Sequence, residues 1–421
     1  MIASKETLIS LGYRIGTIGL SFLSVSLLVN KLGPDRYGAW ATLVSALVWI
    51  QMSDFGVGYV VKNRVAARED SEALCEQIAA AVYLSTLIGV GLVILYAVAG
   101  MQISIVEDYP FEAACLYVTA FLTLPAMVGV NILQGMGLST VSYRTAMVQA
   151  LTWFVLVLLM GDVVSLRPLA VLFAALWLLN GAYNFWRGYR ALGLGQLGFT
   201  RRLFTVQPVA RLWPILRVGG AFFLLQITSL VLFNLGTYLA YRYFSASAAA
   251  RYDILNKVFQ IPMTLFSVVI AVAWATIASH LAQRDSSKVG RIQRQLLVAS
   301  SGGGVLLIAV SYWVVPPFVR LYTHGRIEVG HIEVSAFASQ ILVQMVAYAG
   351  AVFMNAAERL RIQIAFAVAG TLAFLPLFHL LQGRGLGIEA VPLATLLVLL
   401  PSAFYFNYYV RHHIIAPLAT S

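Results

Sequence analysis

The stretch AACLYVTAFLTLPAMVGVNILQGMGLSTVSY, residues 113–143, decides the fold because 31 consecutive residues carry no Lys, Arg, Asp or Glu. In the whole chain of 421 residues, 60% are hydrophobic and 11% are charged, whereas soluble domains contain about 25% charged residues. A bilayer core of about 30 Å takes roughly 20 apolar residues of helix to cross. The stretch is therefore expected to span a membrane, and the composition excludes a soluble enzyme.

Eleven further uncharged stretches bring the number of predicted membrane helices to twelve. They leave no room for a soluble domain, so the sequence predicts an all-α polytopic membrane protein with two pseudo-symmetric bundles of six helices. The twelve stretches are 15–30, 37–53, 77–106, 113–143, 145–161, 168–186, 218–241, 258–283, 295–319, 334–357, 362–383 and 390–410.

The longest hydrophilic interval, residues 187–217, contains six arginines and no acid. It divides the chain into a predicted N-terminal bundle (1–190), a cytoplasmic linker (191–213) and a C-terminal bundle (214–421). Apolar residues of the linker, Phe199 among them, are expected to dip into the lipid headgroup zone while its arginines meet anionic lipid. A nucleic-acid partner is the less favoured interpretation.

The distribution of basic residues predicts the orientation in the membrane. With twelve helices and a cytoplasmic N-terminus, the inside segments hold eighteen basic residues and the outside segments nine. Cytoplasmic loops of membrane proteins carry the excess of Lys and Arg. Both termini are therefore predicted to be cytoplasmic.

Two ionisable residues, Arg14 and Asp54, lie within the first two predicted helices. Charges at such positions are costly, and they usually face a cavity or pair with one another. Counted from the inner helix ends at 1.5 Å per residue, both lie roughly 9 to 12 Å deep. A structural salt bridge and a role in substrate or proton handling are the two open alternatives.

A weak internal repeat links Arg14 to a second arginine. Arg14 and Gly16 open the first helix as Arg217 and Gly219 open the seventh. Repeats of this kind often surround a midplane site in transporters. Arg14, Arg217 and Lys257 are therefore predicted to share one cavity between the two bundles.

A cluster of charged and aromatic residues surrounds the outer start of the eighth helix. Aromatic rings stack on sugars, and Arg and Lys bind diphosphate oxygens. Tyrosine belts also mark any membrane interface, and Asp253 with Lys257 also has the spacing of an ordinary i,i+4 ion pair. The predicted binding residues here are Arg242, Arg251, Tyr252 and Lys257, with Asp253 and Asp54 as predicted coupling or gating residues.

The two cysteines, Cys75 and Cys115, fall on opposite predicted membrane faces and cannot form a disulfide with each other. The sequence shows no spacing typical of a metal site and no cofactor motif. No catalytic residue, metal or cofactor is predicted.

Two segments near the N-terminus, LGPDRYGAW (32–40) and SDFGVGYVVKNRVAARED (53–70), resemble bacterial polysaccharide flippases of the Wzx type. These flippases belong to the multidrug/oligosaccharidyl-lipid/polysaccharide (MOP) exporter superfamily. A third segment, FSASAAARYDILNKVFQIP (244–262), is similar to the equivalent hairpin of that family, although Arg251 and Asp253 are less usual there. The three segments together cover 46 of the 421 residues.

The resemblance implies a MATE-like arrangement of twelve helices around a central cavity. It also implies transport of an undecaprenyl-diphosphate-linked oligosaccharide to the outer leaflet of the bacterial inner membrane, coupled to protons or sodium. A polysaccharide polymerase and membrane lipid are the further partners it implies. The alternative is a cation-coupled multidrug antiporter of the same superfamily, which needs an acidic or aromatic cavity. A membrane-embedded glycan polymerase or ligase is disfavoured because the predicted outside loops are short.

Overall fold

The computed structural model describes residues 5–66, 71–161, 164–193, 199, 202, 209–357 and 359–420. This part of the chain is almost entirely helical and contains no strand. Nine of its helices are long and apolar enough to cross a membrane. Large apolar side chains such as Leu306 and Leu321 are exposed, as lipid-facing residues of a membrane protein are. The all-α membrane class predicted from the sequence is confirmed.

The chain divides into two compact units, Met1–Ile227 and Thr228–Ser421. The first contains α1 (Lys5–Met52), α2 (Val57–Ala66), α3 (Ser71–Ala99), α4 (Ser104–Asp108), α5 (Pro110–Gly135), α6 (Ser139–Leu159), α7 (Leu166–Ala191) and most of α8 (Val209–Asn234). The second contains α9 (Gly236–Tyr243), α10 (Ala246–Ala282), α11 (Ser286–Tyr322), α12 (His331–Ala356), α13 (Leu360–Gly383), α14 (Ala390–Tyr409), a π-helix (Val410–Ile415) and α15 (Ala416–Thr420).

The helices are compatible with twelve membrane spans. The first two predicted spans lie on α1, which is kinked at Gly33 because that residue has φ 77° and ψ 168°. A left-handed φ is accessible to glycine at little cost. Each of the other ten predicted stretches overlaps one of the helices between α3 and α14. The boundaries 1–190, 191–213 and 214–421 stay predictions.

In the first unit, α5 is the central helix and packs on α7, α3, α2 and α1. Two glycines allow α5 and α7 to approach at backbone distance. A Cβ atom added to Gly129 would lie 2.2 Å from the Phe185 Cα atom, and one added to Gly188 would lie 2.9 Å from the Gly129 carbonyl oxygen. Small residues that bring backbones together are typical of membrane helix interfaces.

In the second unit, α12 is the central helix and packs on α11, α14 and α10. Most of its residues are buried. Glycines again mark the close contacts: Gly350 meets Phe406 and Asn407 of α14, and Gly304 of α11 meets Leu342. The core of each unit is thus one buried helix held by close backbone contacts.

The expected lipid contact of Phe199 is wrong. Phe199 is buried in the core of the first unit, where its ring contacts Phe185 and Tyr189 of α7 at centroid distances of 6.5 Å and 5.8 Å. Arg202 binds two carboxylates of α3, with N–O distances of 2.8 Å to Glu72 and 2.6 Å to Glu76. The apolar character of Phe199 serves protein packing because α2, α3 and α7 provide a buried site for it.

We expect Gly129→Ala to destabilise the protein by about 1–3 kcal/mol, since the added methyl group meets backbone that cannot move aside as a side chain can. Gly91→Ala on α3 is the matched control, because a Cβ at Gly91 has no atom within 4 Å. The thermal unfolding midpoint of the purified variants measures the difference. Equal midpoints for the two variants would contradict the packing described for α5 and α7.

Candidate functional site

The break between α1 and α2 contains two consecutive residues with positive φ. Helix α1 ends at Met52 and α2 begins at Val57. Between them Phe55 has φ 52° and Gly56 has φ 74°. A bulky residue with positive φ is rare and costs of order 1–3 kcal/mol, and such strain clusters at functional sites.

The carboxylate of Asp54 binds the free backbone amides at the start of α2. Its Oδ1 accepts a hydrogen bond from the Gly56 N–H and its Oδ2 accepts one from the Gly58 N–H, both at 2.9 Å. The first N–H groups of a helix have no partner within the helix, and an aspartate can supply one. Within the described part of the chain, no ion pair joins Asp54 to Arg14.

Two neighbouring helices enclose the break. Phe55 contacts Phe223 of α8, with ring centroids 4.3 Å apart. Asn131 of α5 lies against Gly58, where a Cβ atom would meet its Nδ2 atom at 2.3 Å. The polar side chains of Asp54 and Asn131 thus lie close to Gly58, next to an aromatic pair.

Arg14 lies at the contact between α1 and α6. Its side chain is exposed, and its guanidinium lies 4.7 Å from the centroid of the Tyr143 ring. One turn earlier, the hydroxyls of Ser10 and Thr140 are hydrogen-bonded at 2.7 Å. A cation–π contact orients the arginine while leaving its positive charge and its N–H donors for another ligand. Arg217 is exposed on α8.

In the second unit, two predicted site cations are bound to carboxylates. Arg251 of α10 lies 3.3 Å from the Glu333 carboxylate of α12, and Lys257 pairs with Asp253 one turn away on α10. The other oxygen of Glu333 accepts the Gly330 N–H at the start of α12. Three of the residues predicted around the eighth helix, Arg251, Asp253 and Lys257, are therefore engaged in ion pairs.

Tyr252 and Arg242 differ in exposure. Tyr252 is 4% exposed, with its ring 5.1 Å from that of Phe337 and its hydroxyl against Gly236. It is a core residue of the second unit, and its ring is not available to a sugar. Arg242 is exposed on α9 beside Tyr243.

The structure brings together some predicted site residues and leaves others apart. Arg14, Arg217 and Asp54 belong to the first unit, and Lys257 to the second, so their shared cavity stays a prediction. No group of three or more metal-binding side chains occurs among the residues that the structure describes.

The residues that contact the predicted site residues were not identified from the sequence. Asn131, Tyr143 and Phe223 reach the site from distant parts of the sequence and carry no local signal. Glu333 did carry a local signal in the sequence. A glutamate three residues after the N-cap residue, which is Gly330 here, is typical of a capping box.

Comparisons with solved structures show the fold. A multidrug-resistance MATE transporter of the MOP superfamily in an inward-facing conformation matches with a TM-score of 0.79 at 16% identity, over 96% of this chain and 96% of that one. The chain has the fold of the MATE transporters. The lipid II flippase MurJ, in an inward closed conformation, matches with a TM-score of 0.72 at 14% identity, over 98% of this chain and 90% of that one.

An outward-facing MATE transporter matches with a TM-score of 0.64 at 16% identity, over 99% of this chain and 97% of that one. No family model matches the sequence, and no curated protein matches it. At these identities the likeness concerns the fold alone.

We expect Asp54→Ala to lower stability by about 1 kcal/mol, because it removes the acceptor that caps α2. Asp54→Asn keeps one of the two acceptor oxygens and replaces the other with an NH2 donor, so it is expected to retain only part of that stability. Thermal unfolding of the two purified variants measures this. An alanine variant as stable as the unchanged protein would contradict the capping role of Asp54.

Proposed function

We propose that this protein is a flippase that moves undecaprenyl-diphosphate-linked oligosaccharides from the cytoplasmic to the periplasmic leaflet of the bacterial inner membrane. It works by alternating access and serves surface polysaccharide biosynthesis, such as that of O-antigen. The fold shared with MurJ supports this proposal, as does the resemblance of residues 32–40 and 53–70 to Wzx-type flippases. In this proposal both termini are cytoplasmic.

The observation that supports the proposal most strongly concerns the contacts of Arg14. Its guanidinium rests on Tyr143 and, in the described part of the chain, has no carboxylate partner. A charge within the membrane that lacks a counter-ion is costly unless a ligand supplies the opposite charge. An anionic substrate meets that requirement.

A diphosphate group suits this arginine chemically. It presents about two negative charges and several acceptor oxygens, and arginine can bind such oxygens through two parallel N–H donors. The exposed Arg217 on the same unit offers a second cation. The polyprenyl chain can stay in the lipid while these residues replace the lost hydration of the diphosphate.

Carboxylates supply the coupling step in this proposal. Asp54 and Asp253 are the coupling residues, with protons or sodium as the ion and a polysaccharide polymerase as the partner that receives the product. Protonation of Asp54 would weaken the bonds from Gly56 and Gly58. A change at this break would then be transmitted to α2.

A cation-coupled multidrug antiporter is the second candidate, favoured by the higher TM-score with a MATE transporter, 0.79 against 0.72 for MurJ. A cationic drug needs carboxylates that are available to it. Asp54 binds backbone amides, Asp253 pairs with Lys257 and Glu333 lies beside Arg251. These engaged carboxylates favour the anionic substrate.

We expect Arg14→Ala to reduce surface polysaccharide by roughly tenfold or more, because a charge-assisted hydrogen bond contributes about 1.5–3 kcal/mol. Arg14→Lys should retain part of the activity, since it keeps the charge but loses the planar geometry. The double variant Arg14→Ala with Asp54→Asn should stay inactive, because the two residues are not an ion pair.

Polysaccharide displayed by a strain that lacks the native protein is the readout, at equal abundance of each variant in the membrane. Arg36→Ala is the matched control, as Arg36 is an exposed arginine of the same helix α1. Recovery of function in the double variant would show that Arg14 only neutralises Asp54. Full activity of Arg14→Ala would contradict the proposed role of this arginine.

A further inference from the structure

The start of α11 presents a row of exposed basic residues. Arg284, Lys288, Arg291 and Arg294 are all exposed. Lys288, Arg291 and Arg294 follow one another at spacings of three residues, which places them on one side of α11, a helix that turns once every 3.6 residues. Arg284 precedes this helix. This face can meet a ligand that is larger than a single ion.

The opposite face of the same turns is buried. Val289, Gln293 and Leu296 are at most 7% exposed and pack within the second unit. The row of cations therefore points away from the core of that unit. Just along the helix, Val298 is 65% exposed, which is typical of a lipid-facing residue.

The π-helix is fixed beside these turns. Val410 and Ile414 belong to the same buried cluster as Val289. The Gln293 side chain donates a hydrogen bond to the Asn407 carbonyl at 3.0 Å, where α14 passes into the π-helix. A Cβ atom on Gly290 would be 3.8 Å from Ile415. The two segments are thus held as one surface.

Further polar and aromatic groups line the π-helix side of this surface. Arg411, His412 and His413 are exposed. The ring of His412 lies 4.4 Å from that of Tyr408, and the ring of His413 lies 4.7 Å from that of Tyr409. Tyrosine and basic residues side by side are typical of the membrane–water interface.

A single acidic residue, Asp285, occurs in 284–300 and 390–421. Its carboxylate caps α11 by accepting the Lys288 N–H and lies 3.0 Å from the Lys288 ammonium. These bonds lower the pKa of Asp285 to about 2. It stays ionised at neutral pH and compensates the charge of Lys288. The positive charges of Arg291, Arg294 and Arg411 are therefore not cancelled by an acidic residue of these two segments.

We propose that Arg291, Arg294 and Arg411 form an interfacial site that binds the phosphodiester headgroups of anionic phospholipids. We call it the α11–π-helix site. Its residues differ from those that bind the transported substrate in the proposed function, which are Arg14 and Arg217. Each arginine near a membrane surface strengthens the attraction to anionic lipid by about fivefold in affinity.

The test uses the full-length protein in a neutral detergent, titrated with phosphatidylglycerol, phosphatidylcholine or inorganic phosphate. Phosphatidylglycerol should raise the thermal unfolding midpoint, and the other two should not. In the triple variant Arg291→Gln, Arg294→Gln, Arg411→Gln, the phosphatidylglycerol concentration for half the effect should rise at least tenfold. All three residues are exposed, so the variant is expected to fold.

The matched control is Arg320→Gln, Arg326→Gln, Arg384→Gln, which removes three exposed arginines elsewhere in the second unit. It should respond to phosphatidylglycerol as the unchanged protein does. An equal loss in both triple variants, or none in the first, would overturn the α11–π-helix site. Equal stabilisation by inorganic phosphate would overturn the assignment to lipid. Because the readout is binding, failure here leaves the proposed transport function unaffected.

Discussion

The hydrogen bonds from Gly56 and Gly58 to the Asp54 carboxylate are the interaction on which the first unit depends. Unpaired backbone amides are costly in a membrane protein, so a helix can break there only where other groups bind them. The break lets α2 pack Val57 and Val60 in the core of the unit. It also holds Phe55 in a strained conformation against Phe223. One carboxylate thus stabilises the break between α1 and α2.

Close backbone contacts give each unit a tightly packed core. Helix α5 crosses α7 at Gly129 and Gly188, and α12 meets α14 at Gly350. In the predicted order of spans, α5 and α12 are each the fourth span of their half. The same role for the fourth span in both units supports the proposed pair of related bundles. Many transporters alternate access by rocking one such bundle against the other.

The sequence predicts the membrane class and the helices because long uncharged stretches have one physical explanation, the hydrocarbon core. It also predicts that Asp253 and Lys257 can pair, since residues four apart share a helix face. It cannot predict that Arg14 rests on Tyr143 while Asp54 binds backbone, because equal depth does not fix the rotation of two helices. The lipid contact expected for Phe199 is wrong for a related reason. The apolar character of a side chain does not determine whether protein or lipid covers it.

Transport by the purified protein in lipid vesicles distinguishes most directly between flipping of a lipid-linked oligosaccharide and export of a cationic drug. The vesicles carry a polyprenyl-diphosphate-linked oligosaccharide in the inner leaflet, and a membrane-impermeant lectin detects the glycan when it reaches the outer surface. We expect the protein to speed this appearance and not to accumulate a cationic dye under a proton or sodium gradient. Gradient-driven dye transport without any appearance of the glycan would contradict the proposed flippase function.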